Sequence, residues 1–186
     1  MFPELAPHER LPFLYSVRAC SRPGALISHR SFLSPHERDS SRELAERLLQ
    51  DVGSEGSVII YSHYQTRVIR WLAQHHPDLA EPLHRVRERT IQLESILRRH
   101  IYHPAFRGRT SMGAAVPALL PEFTYIDLEI EDSASASASY AYLLKGGYYS
   151  PERAPLVRRD LYAYGARNTL ALVRLHETIE RISRGG

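Results

Sequence analysis

The stretch from Ser150 to Ile182 reads as one uninterrupted helix, and an element of that length dictates how the rest of the chain can be arranged. Leu161, Tyr164, Asn168, Leu172, Leu175, Ile179 and Ile182 recur at steps of three and four, the spacing of a helix face turned toward a core. Ser150 as N-cap and Pro151 at the first helical position start it, Glu152 favours its positive end, and Arg181 and Arg184 lie at its negative end. One member of the stripe is out of character. Asn168 places a short amide where leucine would pack, and a buried amide requires hydrogen-bond partners.

The preceding segments supply the layers this helix needs. PFLYSVRAC (12–20) and ISHRSFL (27–33) are rich in β-formers and are joined by SRPGAL, whose Pro-Gly marks a turn, so they form a hairpin. Ser40 with Glu43 makes a capping-box pattern ahead of Leu44, Leu48, Leu49 and Val52, with Gly53 closing that helix. SVIIYS (57–62) reads as a buried strand. The pattern is helical from Gln65, breaks at HHPD, and resumes as a longer helix through about His100. YHPAFRGRTSMGAAVPALLPEF is loop with a short helical piece, because its prolines forbid one long element. TYIDLEI (124–130) reads as a strand or extended edge, and Asp132 either caps a helix through SASASASYAYLL or precedes a flexible linker. The order of elements indicates a single mixed α/β domain over residues 1–186, with helices packed on a small sheet.

At 186 residues and 43% apolar content the chain can bury one ordinary core. Cys20 is the one cysteine, which excludes an intrachain disulfide and any cysteine-based zinc cluster. No apolar run approaches the roughly 20 residues that cross a bilayer, so a membrane partner is not expected and the expected location is the cytoplasm. The net charge is +3, and of the cationic residues only Lys145 is lysine. A GC-rich coding composition produces that bias by itself. Arg85, Arg87, Arg89, Arg98, Arg99, Arg107 and Arg109 nevertheless concentrate in one part of the chain, as a nucleic-acid surface would.

Four runs, LPFLYSVRA, SVIIYS, YHPAFRGRTSMGAAVPALLPEFTYIDLEI and LYAYGARNTLALVRL, together resemble a bacterial domain-of-unknown-function family in the ribonuclease H-like superfamily of DEDD 3′–5′ exonucleases, often found behind a Cas4-like nuclease domain. The resemblance implies a ribonuclease H-like mixed sheet with helices packed on it. In that superfamily four carboxylates hold two divalent ions that generate hydroxide and stabilise the pentavalent phosphate. The family pattern has an Asp-x-Glu pair on a first, central strand, a third carboxylate after an Asn-x-x-Phe, and a fourth closing a Tyr-x-x-x-Asp on the last helix.

This chain departs from the pattern at each carboxylate. Met1 stands where the family is already heading into its second strand, so the first strand is missing or replaced. Ser62 stands for the asparagine, Gln65 for the phenylalanine and Thr66 for the third carboxylate, while Tyr164 is kept and Asn168 replaces the aspartate. Gln92-Leu93 likewise stands for the family's Asp-Leu, Gly113 for a lysine and Ser133 for a glycine. Hydroxyls and amides are poor ligands for paired divalent ions, so the resemblance implies a degenerate domain with no intact catalytic residue and no cofactor. Ser62, Thr66, Tyr164 and Asn168 would mark its vestigial cleft.

The expected role is a noncatalytic nucleic-acid-binding or assembly subunit, with Arg85, Arg89, Arg98, Arg99, Arg107 and Arg109 as candidate contacts to single-stranded DNA or RNA. The alternative is an active Mg- or Mn-dependent 3′–5′ exonuclease completed by an Asp-x-Glu strand from another chain. Deleting a central strand leaves unpaired edges; either the chain is a fragment of a longer gene, or a protein partner, a second copy of this chain, or MFPELAP at its start would have to pair them. Other constellations carry less. Neither His75-His76 nor the His100 and His103 pair has a carboxylate or cysteine at ligand spacing. Ser62 and His63 are adjacent and point apart, with no orienting acid. The tyrosines at 140, 142, 148, 149, 162 and 164 fit half-buried packing, with stacking on bases as the alternative.

Overall fold

The computed structural model describes residues 11–35 and 39–185. The segment MFPELAP, a candidate replacement strand, lies outside them. The hairpin forms as the sequence indicates: β1 (Leu14–Cys20) pairs antiparallel with β2 (Leu26–Leu33), Leu14 opposite Leu33 and Ser16 opposite Ser31. The turn closes through Gly24 at φ +79°, a backbone state that glycine adopts without a Cβ clash.

Helix α1 (Ser41–Val52) follows, but its expected capping box does not form. Asp39 accepts the Ser41 N–H instead at 2.8 Å, and Glu43 pairs with Arg47 one turn on. Strand β3 (Val58–Ile60) leads into α2 (His63–His75). The longer helix expected through His100 is two, α3 (Ala80–Glu88) and α4 (Leu93–His100), separated by β4 (Thr90–Gln92), which pairs parallel with β3. Thr90 and Ile91 are β-branched, and pairing with an already buried strand outweighs weak helix propensity over three residues. A 3₁₀ turn at Pro104–Phe106 and α5 (Met112–Leu119) make up the proline-rich stretch. TYIDLEI is a chain of turns rather than a strand. Asp132 does cap α6 (Ser133–Lys145), accepting from the Ala134 and Ser135 amides.

The last helix, α7 (Arg153–Arg184), has 32 residues and is therefore roughly 48 Å long. Its first assigned residue comes later than Pro151, yet Ser150 still accepts the Arg153 N–H on its hydroxyl at 3.3 Å. The stripe is wider than one face. Leu161 and Leu175 are fully buried, Asn168 is half-buried, and Gly165 and Ala171 open a second contact surface.

These two surfaces explain how the layers stack. On one side, Gly165 meets β1 so closely that an added Cβ would lie 3.2 Å from Leu14 Cδ2. Nearby, Ser16 Oγ sits 2.8 Å from Thr169 Oγ1 and 2.9 Å from His29 Nε2, a small polar seam between hairpin and helix. On the other side, Ala171, Leu175 and Ile179 join Tyr61, Leu93, Leu97, Phe106, Ala115 and Val116, with Ile59 of β3 packed against them. Tyr15 of β1 and Val58 of β3 share the opposite core, made by Leu44, Ala45, Ile69, Leu72, Leu83 and Val86. Alternate residues of a strand point to opposite faces. The hairpin and the β3–β4 pair therefore occupy one layer, with α1, α2 and α3 below and α7 above. They remain two separate two-stranded sheets, so each described strand is an edge.

Candidate functional site

Asn168 has its partners. Tyr125, from the turns between α5 and α6, donates its hydroxyl to Asn168 Oδ1 at 3.0 Å. Burial, helped by nearby Tyr164 and opposed by the Arg167 charge, pushes the Tyr125 hydroxyl up to about 12. Burial raises the Tyr164 hydroxyl too, and contact with the Asn168 side chain opposes that rise. Arg167 fixes the segment that delivers Tyr125: it forms a two-pronged pair with Asp127 at 2.9 and 2.6 Å and donates to the Thr124 carbonyl. Its guanidinium also lies 5.8 Å from the centre of the Phe123 ring. The Asp127 carboxyl is held below its usual range, first by its hydrogen bond from Arg167. The amide that stands out in the sequence is thus the acceptor in a neutral, half-buried tyrosine cluster.

Ser62 and Thr66 serve a different purpose, at the start of α2. Ser62 Oγ accepts the Tyr64 N–H at 3.3 Å, and Gln65 Oε1 accepts the Ser62 N–H at 3.2 Å, completing a capping box. Thr66 donates to the His63 carbonyl at 2.8 Å, and Gln92 Nε2 lies 3.1 Å from His63 Nδ1. The Ser-x-x-Gln spacing in YSHYQT is the sequence signal for this box, and reading Ser62 and Gln65 only as replacements for the family's asparagine and phenylalanine misses it. Among the described residues no hydrogen bond or ion pair joins Ser62 or Thr66 to Tyr164 or Asn168. Nor do three His, Cys, Asp or Glu side chains converge there as a metal cluster.

The arginines divide into two groups. Arg85 is exposed and paired with Glu81 on α3. Arg89 donates to the carbonyls of Gly53, Glu55 and Gly56, closing the loop that leads into β3. Its two terminal nitrogens are engaged by backbone. By contrast Arg98, Arg99, Arg107 and Arg109 are exposed and belong to a stretch, residues 95–121, that holds four arginines and no aspartate or glutamate. The whole chain carries only +3, so the rest of the molecule is not basic. Leu97, Phe106, Ala115 and Val116 anchor α4, the 104–106 turn and α5 in one core, so the segments that carry the four arginines share one support. Tyr61 donates its hydroxyl to the Thr110 carbonyl and ties the intervening loop to β3. Arg107 itself is left-handed, at φ 48° and ψ 42°, a conformation uncommon outside glycine.

Arg107, Arg109, Ser111, Gly113, Ala114 and Pro117 are among the residues lining a recess of about 520 Å³. A second recess, of about 660 Å³, lies between the hairpin turn and the end of α7, where Arg22, Arg181 and Arg184 alternate with Glu177 and Glu180. Its charges are mixed, and Arg184 is already paired with Glu180. No described helix is long and apolar enough to cross a membrane.

No curated protein and no solved structure matches the chain. Residues 1–111 match the model of a family described as a domain of unknown function, DUF2779. That span takes in both strand pairs and runs to the edge of the arginine-lined recess. It covers more than half of the 186 residues, and the chain therefore belongs to the DUF2779 domain family.

Proposed function

We propose that the chain is a noncatalytic subunit that binds single-stranded nucleic acid, built on a degenerate ribonuclease H-like exonuclease domain of the kind often fused to Cas4-like nucleases. The observation that carries the binding role is the acid-free stretch 95–121, whose arginines 98, 99, 107 and 109 are exposed and make no ion pair with any described residue. Unpaired guanidiniums held on a rigid margin attract phosphate, and their arrangement without a base-reading groove suits sequence-tolerant binding.

Loss of catalysis is supported by what now occupies the family's ligand positions. Asn168 accepts from Tyr125, and Thr66 donates to the His63 carbonyl. Each is a neutral group with a structural partner, and two-metal hydrolysis needs anionic oxygens. Were Mg²⁺ or Mn²⁺ to act here, the carboxylates would have to come from elsewhere.

A second reading, assembly, is favoured by the two separate strand pairs in one layer. A strand inserted between β1 and β3 would join them into the single sheet of a ribonuclease H-like domain, and edge strands are natural acceptors for such addition. A protein partner or a second copy supplies that strand in this reading. If the strand carries Asp-x-Glu, the product is the active exonuclease alternative.

One experiment separates these. Labelled single-stranded DNA and RNA are incubated with the protein and Mg²⁺ or Mn²⁺, with and without EDTA, while retention and length are followed together. Retention of full-length strand, unaffected by EDTA, is the expected result. EDTA-sensitive release of mononucleotides contradicts the noncatalytic role, and no retention with a stable oligomer on sizing favours assembly.

A further inference from the structure

The recess bordered by Arg107, Arg109 and Ser111 differs from the rest of the basic margin in shape. Arg98 and Arg99 project from the end of α4, where a strand could pass across them. Arg107 and Arg109 instead line a concavity of about 520 Å³ whose other walls are Ala105, Gly113, Ala114, Pro117 and Ala118. Small-ligand sites span about 300–1,000 Å³, so the space is large enough for a terminal nucleotide.

The walls are chemically one-sided. Apart from the two guanidiniums and the Ser111 hydroxyl, every lining side chain is small or apolar, and no carboxylate lies in residues 95–121 to neutralise the arginines. The Ser111 hydroxyl makes no capping bond. The loop holding both arginines is fixed by Arg107 N–H to Pro104 O, at 3.2 Å, and Arg109 N–H to Phe106 O, at 2.9 Å, and by the Tyr61 bond to Thr110. A doubly charged phosphomonoester matches two unpaired guanidiniums better than a singly charged diester does.

We infer that this recess takes the terminal phosphomonoester of a nucleic-acid strand, so that the protein holds strand ends rather than strand interiors. The inference rests on the nucleic-acid-binding reading above. Gly113 gives it a test independent of charge. A Cβ added there meets nothing within 4 Å, and leucine has a higher helix propensity than glycine, so Gly113→Leu extends a side chain from the recess wall without straining the fold.

The experiment measures affinity for one labelled oligonucleotide carrying a 5′-phosphate, a 3′-phosphate, or hydroxyls at both ends. A phosphorylated end is expected to bind about tenfold more tightly than the hydroxyl-ended strand, equivalent to about 1.4 kcal/mol. The double variant R107A/R109A and the variant G113L should each collapse that ratio toward one, with melting temperatures confirming that both fold. The variant R98A/R99A should weaken all three strands alike and leave the ratio intact. Salt-sensitive binding with no preference for either phosphorylated end overturns the inference and leaves the proposed function standing. Absence of salt-sensitive binding by every strand overturns both. Equal displacement of the strand by a glutamate-rich peptide of matched charge also overturns it, by making the recess a general anion surface.

Discussion

The cluster around Asn168 and the margin around Arg107 are both polar and both lie against the core that α7 organises, but they treat their polar groups in opposite ways. At Asn168 the amide oxygen is taken by Tyr125, and the neighbouring charge of Arg167 is matched by Asp127 at 2.6 Å. Around Arg107 the charges have no ion-pair partner among the described residues, and the nearest sequence acids are Glu94 and Glu122. Groups satisfied internally add stability and offer a ligand little, whereas groups left to water cost little to keep and can exchange that water for a ligand. On the proposed function, the difference would place binding on the margin, away from Ser62, Thr66, Tyr164 and Asn168.

Four substitutions or conditions test that division, beginning with the largest effect. Replacing Arg98, Arg99, Arg107 and Arg109 together by alanine should lower affinity for single strands on the order of 100-fold at low salt; thermal melting should be unchanged, because exposed unpaired side chains contribute little to folding. Asn168→Leu should do the reverse. It strands the Tyr125 hydroxyl, costs about 2 kcal/mol by denaturant unfolding and leaves strand affinity as it was. Ser62→Ala removes one half of the α2 capping box and should cost about 1 kcal/mol, again with no change in binding; a loss of binding instead would mean that the start of α2 still touches the ligand.

The smallest effect concerns the polar seam between hairpin and helix. His29 is held below its ordinary value of 6.5, first by burial and then by the Arg18 charge, while the unfolded chain titrates normally. The unfolded state therefore binds more protons below that pH, so stability from this residue is present above about pH 6.5 and declines as pH falls toward the folded value. Unfolding midpoints measured between pH 8 and 5 should drift downward, and His29→Gln should reduce the drift, the remainder coming from His76, which burial likewise holds below its ordinary value. Arg167 pairs with an exposed Asp127, so the Asn168 cluster should not respond in that range.

Local signals carried much of this fold. Pro-Gly between two β-rich runs specifies the hairpin, Asp132 caps α6, and the three-and-four spacing from Leu161 to Ile182 specifies α7. Strand β4 escapes because Thr90, Ile91 and Gln92 sit between two helical patterns, and only β3, some thirty residues earlier by chain order, makes them a strand. TYIDLEI has strand composition but is drawn into turns, since Arg167 holds Asp127 and the Thr124 carbonyl while Tyr125 reaches Asn168. At the candidate site, the need of Asn168 for a partner is legible from its place on the stripe; the identity of Tyr125 is not, because no local spacing links residues so far apart. The arginine bias is visible in composition. Which arginines are engaged depends on tertiary contacts, with the Arg89 side chain bound to three carbonyls and that of Arg107 to none among the described residues.

The most direct test of a charge-driven binding margin is the salt dependence of affinity. Binding of the full chain to a labelled single strand, followed by fluorescence anisotropy across a series of NaCl concentrations, should give a log–log slope of roughly −3, as expected for four phosphate contacts on a single strand, and the four-arginine variant should bring it close to zero. A wild-type slope near zero, or a slope that the four substitutions leave unchanged, would contradict the account.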